Sequence, residues 1–340
     1  MGRFASRRTS KLDDSLVLCA RMRLAVVGAG GIGGFVAAML ARAGNTVSVV
    51  ARGAHLAAIR ANGLRVSSTH FGEMHVTLQA EADVRALPPV ELIVLCTKAH
   101  QTRELLEQFV QGPSRDAAIL TLQNGLPFWY FPDRPVRAVD PDGALRAQLP
   151  DSRVIGGVVH ASGTLLEPGL VRHEGHFRYP LGEAHGVISE RVQRLAACFR
   201  AAGLQAEPED EIRVATWRKL FGNVALNPVS ALTGATVRTM VDDADTGALL
   251  REIVIEARAV AHASGIDVAE TVDARMAHIQ SVADVKTSML QDLEAGRALE
   301  LEPIVGATLE LASIFNVPVP RIAALYALTK LRAESRPSCS

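Results

Sequence analysis

Three side chains in the run WRKLFGNVALNP, residues 217–228, could share one piece of chemistry. Lys219, Asn223 and Asn227 stand four residues apart, and a helix would set them on one face. The run around them is apolar, as a buried helix would be, and a lysine is seldom buried without a partner or a task. An ammonium can give a proton and stabilise a growing negative charge. Two amides can orient a carbonyl or a carboxylate without adding charge. Hydride addition to a ketone asks for all of this, because it builds an alkoxide. The plainer reading is a lysine that snorkels to solvent beside two surface amides. Pro228 lacks a backbone donor and disfavours helical geometry at Asn227, so the helix is expected to kink or end there.

A second signature lies near the start of the chain. Gly28-Ala29-Gly30-Gly31-Ile32-Gly33 follows the apolar strand RLAVV and opens a small-residue helix. Gly28 allows the tight turn, Gly30 lets a pyrophosphate approach the backbone, and Gly33 lets the helix pack on the strand. The helix N-terminus favours the phosphate charge. The second strand, TVSVVAR, ends at Arg52, and no acid lies between Gly34 and Gly72. An NAD site would place Asp or Glu there, whereas Arg52 suits the extra phosphate of NADPH. Lys98 and Asn124 end two further strands, ELIVLCTK and AAILTLQNG, at the edge where open α/β sheets bind ligands. Both also read as ordinary loop residues, since Asn-Gly is a common turn pair.

These residues need a scaffold, and the pattern supplies one. Strands alternate with helices up to about residue 125, which predicts a parallel sheet with crossovers. Residues 151–183 read as added antiparallel strands with a turn at Pro168-Gly169. From about 211 to 333 the period is helical, with LLREIVIEARAVAHASG the clearest amphipathic stretch. The expected organisation is a leader over 1–21, an α/β dinucleotide-binding domain over 22–209, an all-helical substrate and catalytic domain over 210–333, and a tail over 334–340.

Composition narrows the function. The chain has 340 residues, 48% hydrophobic and 21% charged, with zero formal net charge. Neither nucleic acid nor an acidic membrane surface is an expected partner. No apolar run is long enough to span a bilayer. Four scattered cysteines and ten histidines show no metal-ligand spacing, so no metal is expected, and reduced thiols fit a cytoplasmic protein.

The motifs KLxxNxxxNPxxALTG and SMLQDLEAG, the glycine fingerprint and the LQNG turn together resemble the ketopantoate reductases, over roughly residues 22–333. The resemblance implies a Rossmann-like domain followed by a helical domain similar to the 6-phosphogluconate dehydrogenase C-terminal domain. It implies reduction of ketopantoate to pantoate with NADPH, on the route to pantothenate. Lys219 then matches the proton-donating lysine, and Asn223, Asn227 and Ser288 match substrate-binding residues. Glu300 matches a glutamate near the nicotinamide and the substrate hydroxyl. Lys98 and Asn124 match cofactor contacts, with Asn124 also touching substrate.

Two departures set the chain apart and leave another ketone open as substrate. The stretch after Asn124-Gly125, LPFWYFPDRPVRAVDPDGALRAQLP, is longer than in well-studied members. Its Phe128, Trp129, Tyr130 and Phe131 could be a loop core, or a lid or substrate wall. Val237 falls near the place of a downstream asparagine. A non-catalytic NADPH-binding sensor is the remaining alternative, disfavoured by the intact polar set. The apolar helical domain fits a possible homodimer.

Overall fold

The computed structural model describes residues 21–282 and 284–335. The expected leader and tail lie outside these apart from residues 21 and 334–335. Among the described residues eleven strands form one sheet. They are β1 (Arg23–Val27), β2 (Thr46–Val50), β3 (Leu64–Ser68), β4 (Gly72–Val76), β5 (Gln79–Glu81), β6 (Leu92–Leu95), β7 (Ala118–Thr121), β8 (Val154–Gly157), β9 (His160–Glu167), β10 (Leu170–Glu183) and β11 (Gln205–Pro208). The helices of this part are α1 (Gly31–Arg42), α2 (Gly53–Asn62), α3 (Thr102–Val110), α4 (Ala144–Gln148) and α5 (Glu190–Ala201). The helical part holds α6 (Ile212–Thr233), α7 (Val237–Asp242), α8 (Ala244–Ala263), α9 (Val272–Ser281), α10 (Ser288–Glu294), α11 (Ala307–Ile314) and α12 (Pro320–Glu334).

The sheet runs β4-β3-β10-β8-β7-β6-β1-β2-β5, with β9 and β11 paired to β10. From β8 to β5 every pair is parallel. These strands are short apolar runs because helices cover both faces; Leu24, Ala25, Val26 and Val27 are at most 1% exposed. Strand order reverses beside β1, which pairs with β2 on one side and β6 on the other. The carboxyl ends at that switch point form the crevice where such sheets take ligands. The expected mostly parallel sheet with a helical second part is therefore present. Two details were not anticipated. The antiparallel hairpin β3–β4 extends the sheet, and β10 runs antiparallel to β8 and β9 but parallel to β3 and β11.

Of the two outcomes expected at Pro228, a kink or an end, the end does not occur there: α6 runs through Pro228 to Thr233. An interior proline costs on the order of 3 kcal/mol. Here Pro228 is buried together with Val224, Ala225, Val229 and Ala231, and burying such side chains stabilises by roughly 1.5–3 kcal/mol each for the larger ones. The stop comes instead at Gly234, which adopts φ 76° and donates its N–H to the Ser230 carbonyl at 2.8 Å.

The aromatic segment after Asn124 belongs to the core. Phe128, Trp129, Tyr130 and Phe131 are all at most 7% exposed. The Trp129 indole donates to Thr121 Oγ1 at 2.9 Å in the sheet. The Trp217 indole of α6 donates to the Tyr130 hydroxyl at 2.8 Å, which also meets Ser264 Oγ at 2.7 Å. One hydrophobic cluster therefore continues from the sheet into α6, α8 and α11.

Candidate active site

Four loops leave the carboxyl ends of the parallel strands on one edge. After β1, Gly28 takes φ 94°, and a Cβ there would lie 2.8 Å from Thr97. A Cβ at Gly33 would lie 2.0 Å from the Gly28 carbonyl oxygen. Both positions need glycine so that α1 can rise close against β1. Gly30 caps α1, and a Cβ there would meet nothing within 4 Å. That open approach to a helix N-terminus fits a dinucleotide pyrophosphate. Ala29 is buried, Ile32 is half-buried, and Gly31 sits against Gly163 of β9. His55 braces the turn. Its Nε2 donates to the Ala29 carbonyl at 2.7 Å, while its Nδ1 accepts from the Gly169 N–H at 2.9 Å.

Arg52 stands at the tip of β2 and caps α2, with a side chain 63% exposed. Its guanidinium lies only within 4.0 Å of Glu104, so it remains available to a phosphate. Glu81 is an acid near this tip that the sequence window did not reach; β5 sets it beside Val50. Arg60 takes up that carboxylate. Lys98, after β6, reaches the helical part instead of standing free: its ammonium bonds Asp292 Oδ2 at 2.7 Å and the Ala298 carbonyl.

Asn124 follows β7 and joins the two parts of the molecule. Lys219 Nζ donates to Asn124 Oδ1 at 2.6 Å, and Asn124 Nδ2 donates to Glu300 Oε2 at 2.9 Å. Amine, amide and carboxyl thus form one chain of hydrogen bonds. The loop is held by Gln123, which donates to the Thr97 carbonyl at 2.7 Å and to Thr102 Oγ1 at 2.9 Å. It is held again at Gly125, with φ 85°, where a Cβ would lie 2.2 Å from the Pro303 carbonyl oxygen. Leu126 N–H donates to that same oxygen at 2.7 Å. Pro303 belongs to a π-helical turn, Glu302–Gly306, which Leu301 separates from Glu300. Such turns spread the backbone and often mark functional sites.

Burial sets the charge states. Desolvation pulls the Lys219 amine down to about 8, and the nearby Glu300 carboxylate opposes the fall. The same desolvation pushes Glu300 up, against the Asn124 hydrogen bond and the charges of Lys98 and Lys219. Asn223 lines a cavity with Lys219 and Asn124, which Phe128, Trp129 and Val158 help to close. Asn227 lies one turn further along, 4% exposed, and its buried Nδ2 has no hydrogen-bond partner among the described residues. An unpaired buried amide is uncommon, and Asn227 is not among the residues that line the Lys219 cavity. Ser288 opens α10, which packs on α6, but it is exposed and does not line the Lys219 cavity; its neighbour Thr287 caps the helix. Val237 is buried at the start of α7.

Sequence reasoning missed Gln123 and Asp292. Asp292 lies inside the SMLQD motif and could have been paired with Lys98 by charge.

Comparison with known proteins agrees with this geometry. The family described as "Ketopantoate reductase PanE/ApbA" matches residues 24–186, and "Ketopantoate reductase PanE/ApbA C terminal" matches residues 211–333. The 2-dehydropantoate 2-reductase of Mesorhizobium japonicum is 42% identical over 323 residues, covering 93% of this chain and 99% of that protein. A putative ketopantoate reductase from Ralstonia solanacearum MolK2 is 34% identical, with a TM-score of 0.87 over 93% of this chain and 99% of that one. A D-mandelate dehydrogenase solved with NADH and anilino(oxo)acetate is 23% identical and shares the fold, with a TM-score of 0.82 over 92% and 99% of the two chains. With both domain families matched in order and the polar chain through Lys219 in place, the protein belongs to the ketopantoate reductase family, oxidoreductases that interconvert C=O and CH–OH.

Proposed function

We propose that this enzyme reduces a 2-oxo acid to the 2-hydroxy acid with NADPH, and that ketopantoate, giving pantoate, is its substrate. The observation that carries the reading is the chain Lys219–Asn124–Glu300, built from α6, the β7 loop and the entry to the π-helical turn. The reduced nicotinamide, when bound, supplies the hydride. Everything else falls to the protein's own residues. The Gly28–Gly33 turn, Arg52, Lys98 and Asn124 bind the dinucleotide, with Arg52 on its extra phosphate. The Lys219 ammonium lies where the ketone oxygen becomes an alkoxide; it stabilises that charge and gives its proton. A pKa near 8 leaves Lys219 mostly protonated at neutral pH yet a far better acid than an ordinary lysine. Glu300 keeps Lys219 charged through Asn124. Asn223, Asn227 and Ser288 orient the substrate.

A small-molecule enzyme of this kind fits a cytoplasmic location. Leu328 and Leu331, 54% and 60% exposed on α12, support association of two copies through the helical part. The test is NADPH oxidation over a panel of 2-oxo acids that includes ketopantoate, with Lys219→Ala beside the wild type. Turnover with ketopantoate, and a loss on the order of 10²–10⁴ in kcat for the variant, is expected. A folded Lys219→Ala enzyme with unchanged kcat overturns the mechanism. Turnover of other 2-oxo acids alone overturns the substrate.

A further inference from the structure

His55 grips the glycine turn from a neighbouring helix, and the atom it grips decides which way that turn faces. The ring is half-buried in the first turn of α2, the helix that Arg52 caps. Its Nδ1 accepts the Gly169 N–H at 2.9 Å, so the ring proton sits on Nε2, which donates to the Ala29 carbonyl at 2.7 Å. Both nitrogens are thus spent on backbone, one as acceptor and one as donor. Gly169 is itself a fixed point. It lies between β9 and β10 with φ 82°, and its carbonyl accepts the Arg65 N–H of β3 at 2.9 Å. The ring therefore ties the glycine turn to the sheet. The Ala29 carbonyl has no other hydrogen-bond partner among the described residues. The peptide after it is trans, and a trans peptide points its N–H opposite to its carbonyl. Holding the Ala29 carbonyl towards α2 aims the Gly30 N–H the other way. That N–H has no partner among the described residues, and a Cβ at Gly30 would meet open space. Glycine at this position gives the peptide freedom to turn over. A carbonyl oxygen would then stand where the N–H stands, and it would repel a phosphate.

We propose that His55 is a positioning residue for the cofactor: by holding the Ala29 carbonyl it presents the Gly30 N–H to the dinucleotide pyrophosphate. This rests on the reading of the glycine turn as the NADPH site and adds a residue outside the turn that sets its affinity. His55 acts through the turn and does not touch the cofactor. NADPH and NADH share the pyrophosphate, so His55 serves both alike, whereas Arg52 serves the extra phosphate alone. One turn of α2 then governs both phosphate contacts, one directly and one through the backbone.

The experiment measures the Kd of NADPH and of NADH by fluorescence titration, kcat at saturating NADPH, and the thermal midpoint of each protein. His55→Leu removes both hydrogen bonds. His55→Asn sets an amide near the place of Nδ1 and keeps only the Gly169 bond. His55→Gln sets one near the place of Nε2 and keeps only the Ala29 bond. The expected result for His55→Leu and His55→Asn is a rise in Kd on the order of 10-fold for both nucleotides, as for one lost hydrogen bond. His55→Gln should recover most of the affinity, and kcat should stay within about twofold in all three. Affinity that follows the Gly169 bond instead, with Asn binding well and Gln poorly, overturns the proposal and leaves His55 a brace of the hairpin. A fall in thermal midpoint with unchanged Kd overturns it too, and so does a loss confined to NADPH, which would put the ring on the extra phosphate. If His55→Leu fails to fold, the Asn and Gln variants decide between them, since each keeps one bond. Failure of the underlying reading looks different: the wild type itself would then bind neither nucleotide.

Discussion

Lys219→Met should make the protein more stable at pH 7 and less stable at pH 10.5. The folded-state pKa of Lys219 is near 8, below its ordinary value of 10.5. The unfolded chain therefore holds this proton more tightly. The resulting penalty on the folded state is fully present below pH 8 and fades as pH rises towards 10.5. At 1.36 kcal/mol per unit the difference is about 3 kcal/mol. Methionine fills similar volume without charge and removes that penalty. It also leaves Asn124 Oδ1 without the 2.6 Å partner it now has, a loss of about 1–2 kcal/mol. The net gain at pH 7 is then about 1–2 kcal/mol, turning into a net loss of about the same size at pH 10.5. Urea unfolding of both proteins at the two pH values measures this directly. A variant less stable than wild type at pH 7, or a gap that does not move with pH, would refute the claim that burial strains this amine.

The wild-type kcat should fall as pH rises through about 8, as the acid form of Lys219 is lost; Glu300→Gln should shift that break lower, since Glu300 is what holds the amine up. Arg52→Ala should reduce kcat/KM for NADPH on the order of 10- to 100-fold and change that for NADH by about twofold or less, read from parallel initial rates. Gly125→Ala should destabilise by more than about 2 kcal/mol in denaturant, because a Cβ cannot share space with the Pro303 carbonyl and φ 85° disfavours alanine.

Much of the fold was legible because its signals are local. The glycine turn, the apolar runs of β1, β2, β6 and β7, and the stop of α8 at Gly265 are all written in neighbouring residues. The i, i+4 spacing placed Lys219, Asn223 and Asn227 on one helix. Other features depend on contacts far apart in sequence. Asn124 and Glu300 meet across 176 positions, and no periodicity foretells that. The persistence of α6 through Pro228 is decided by what buries the proline, not by the proline. The π-helical turn reads as ordinary amphipathic helix until the β7 loop is seen against it. For the aromatic segment, composition left two readings, and packing against Trp217 makes it core, with Phe128 and Trp129 also at the cavity wall.

That shared core limits how the protein can be recombined. Tyr130 completes the hydrogen bonds of both Trp217 and Ser264, so the halves are not interchangeable modules. A chimera taking residues 22–209 from a relative with a shorter segment would leave the Trp217 indole facing a void. Such a seam forfeits about 3–5 kcal/mol of aromatic packing, a large share of the stability of any ordinary protein. Residues 127–150 and the opening turns of α6 should therefore be exchanged as one block, and drift in either should be answered by change in the other.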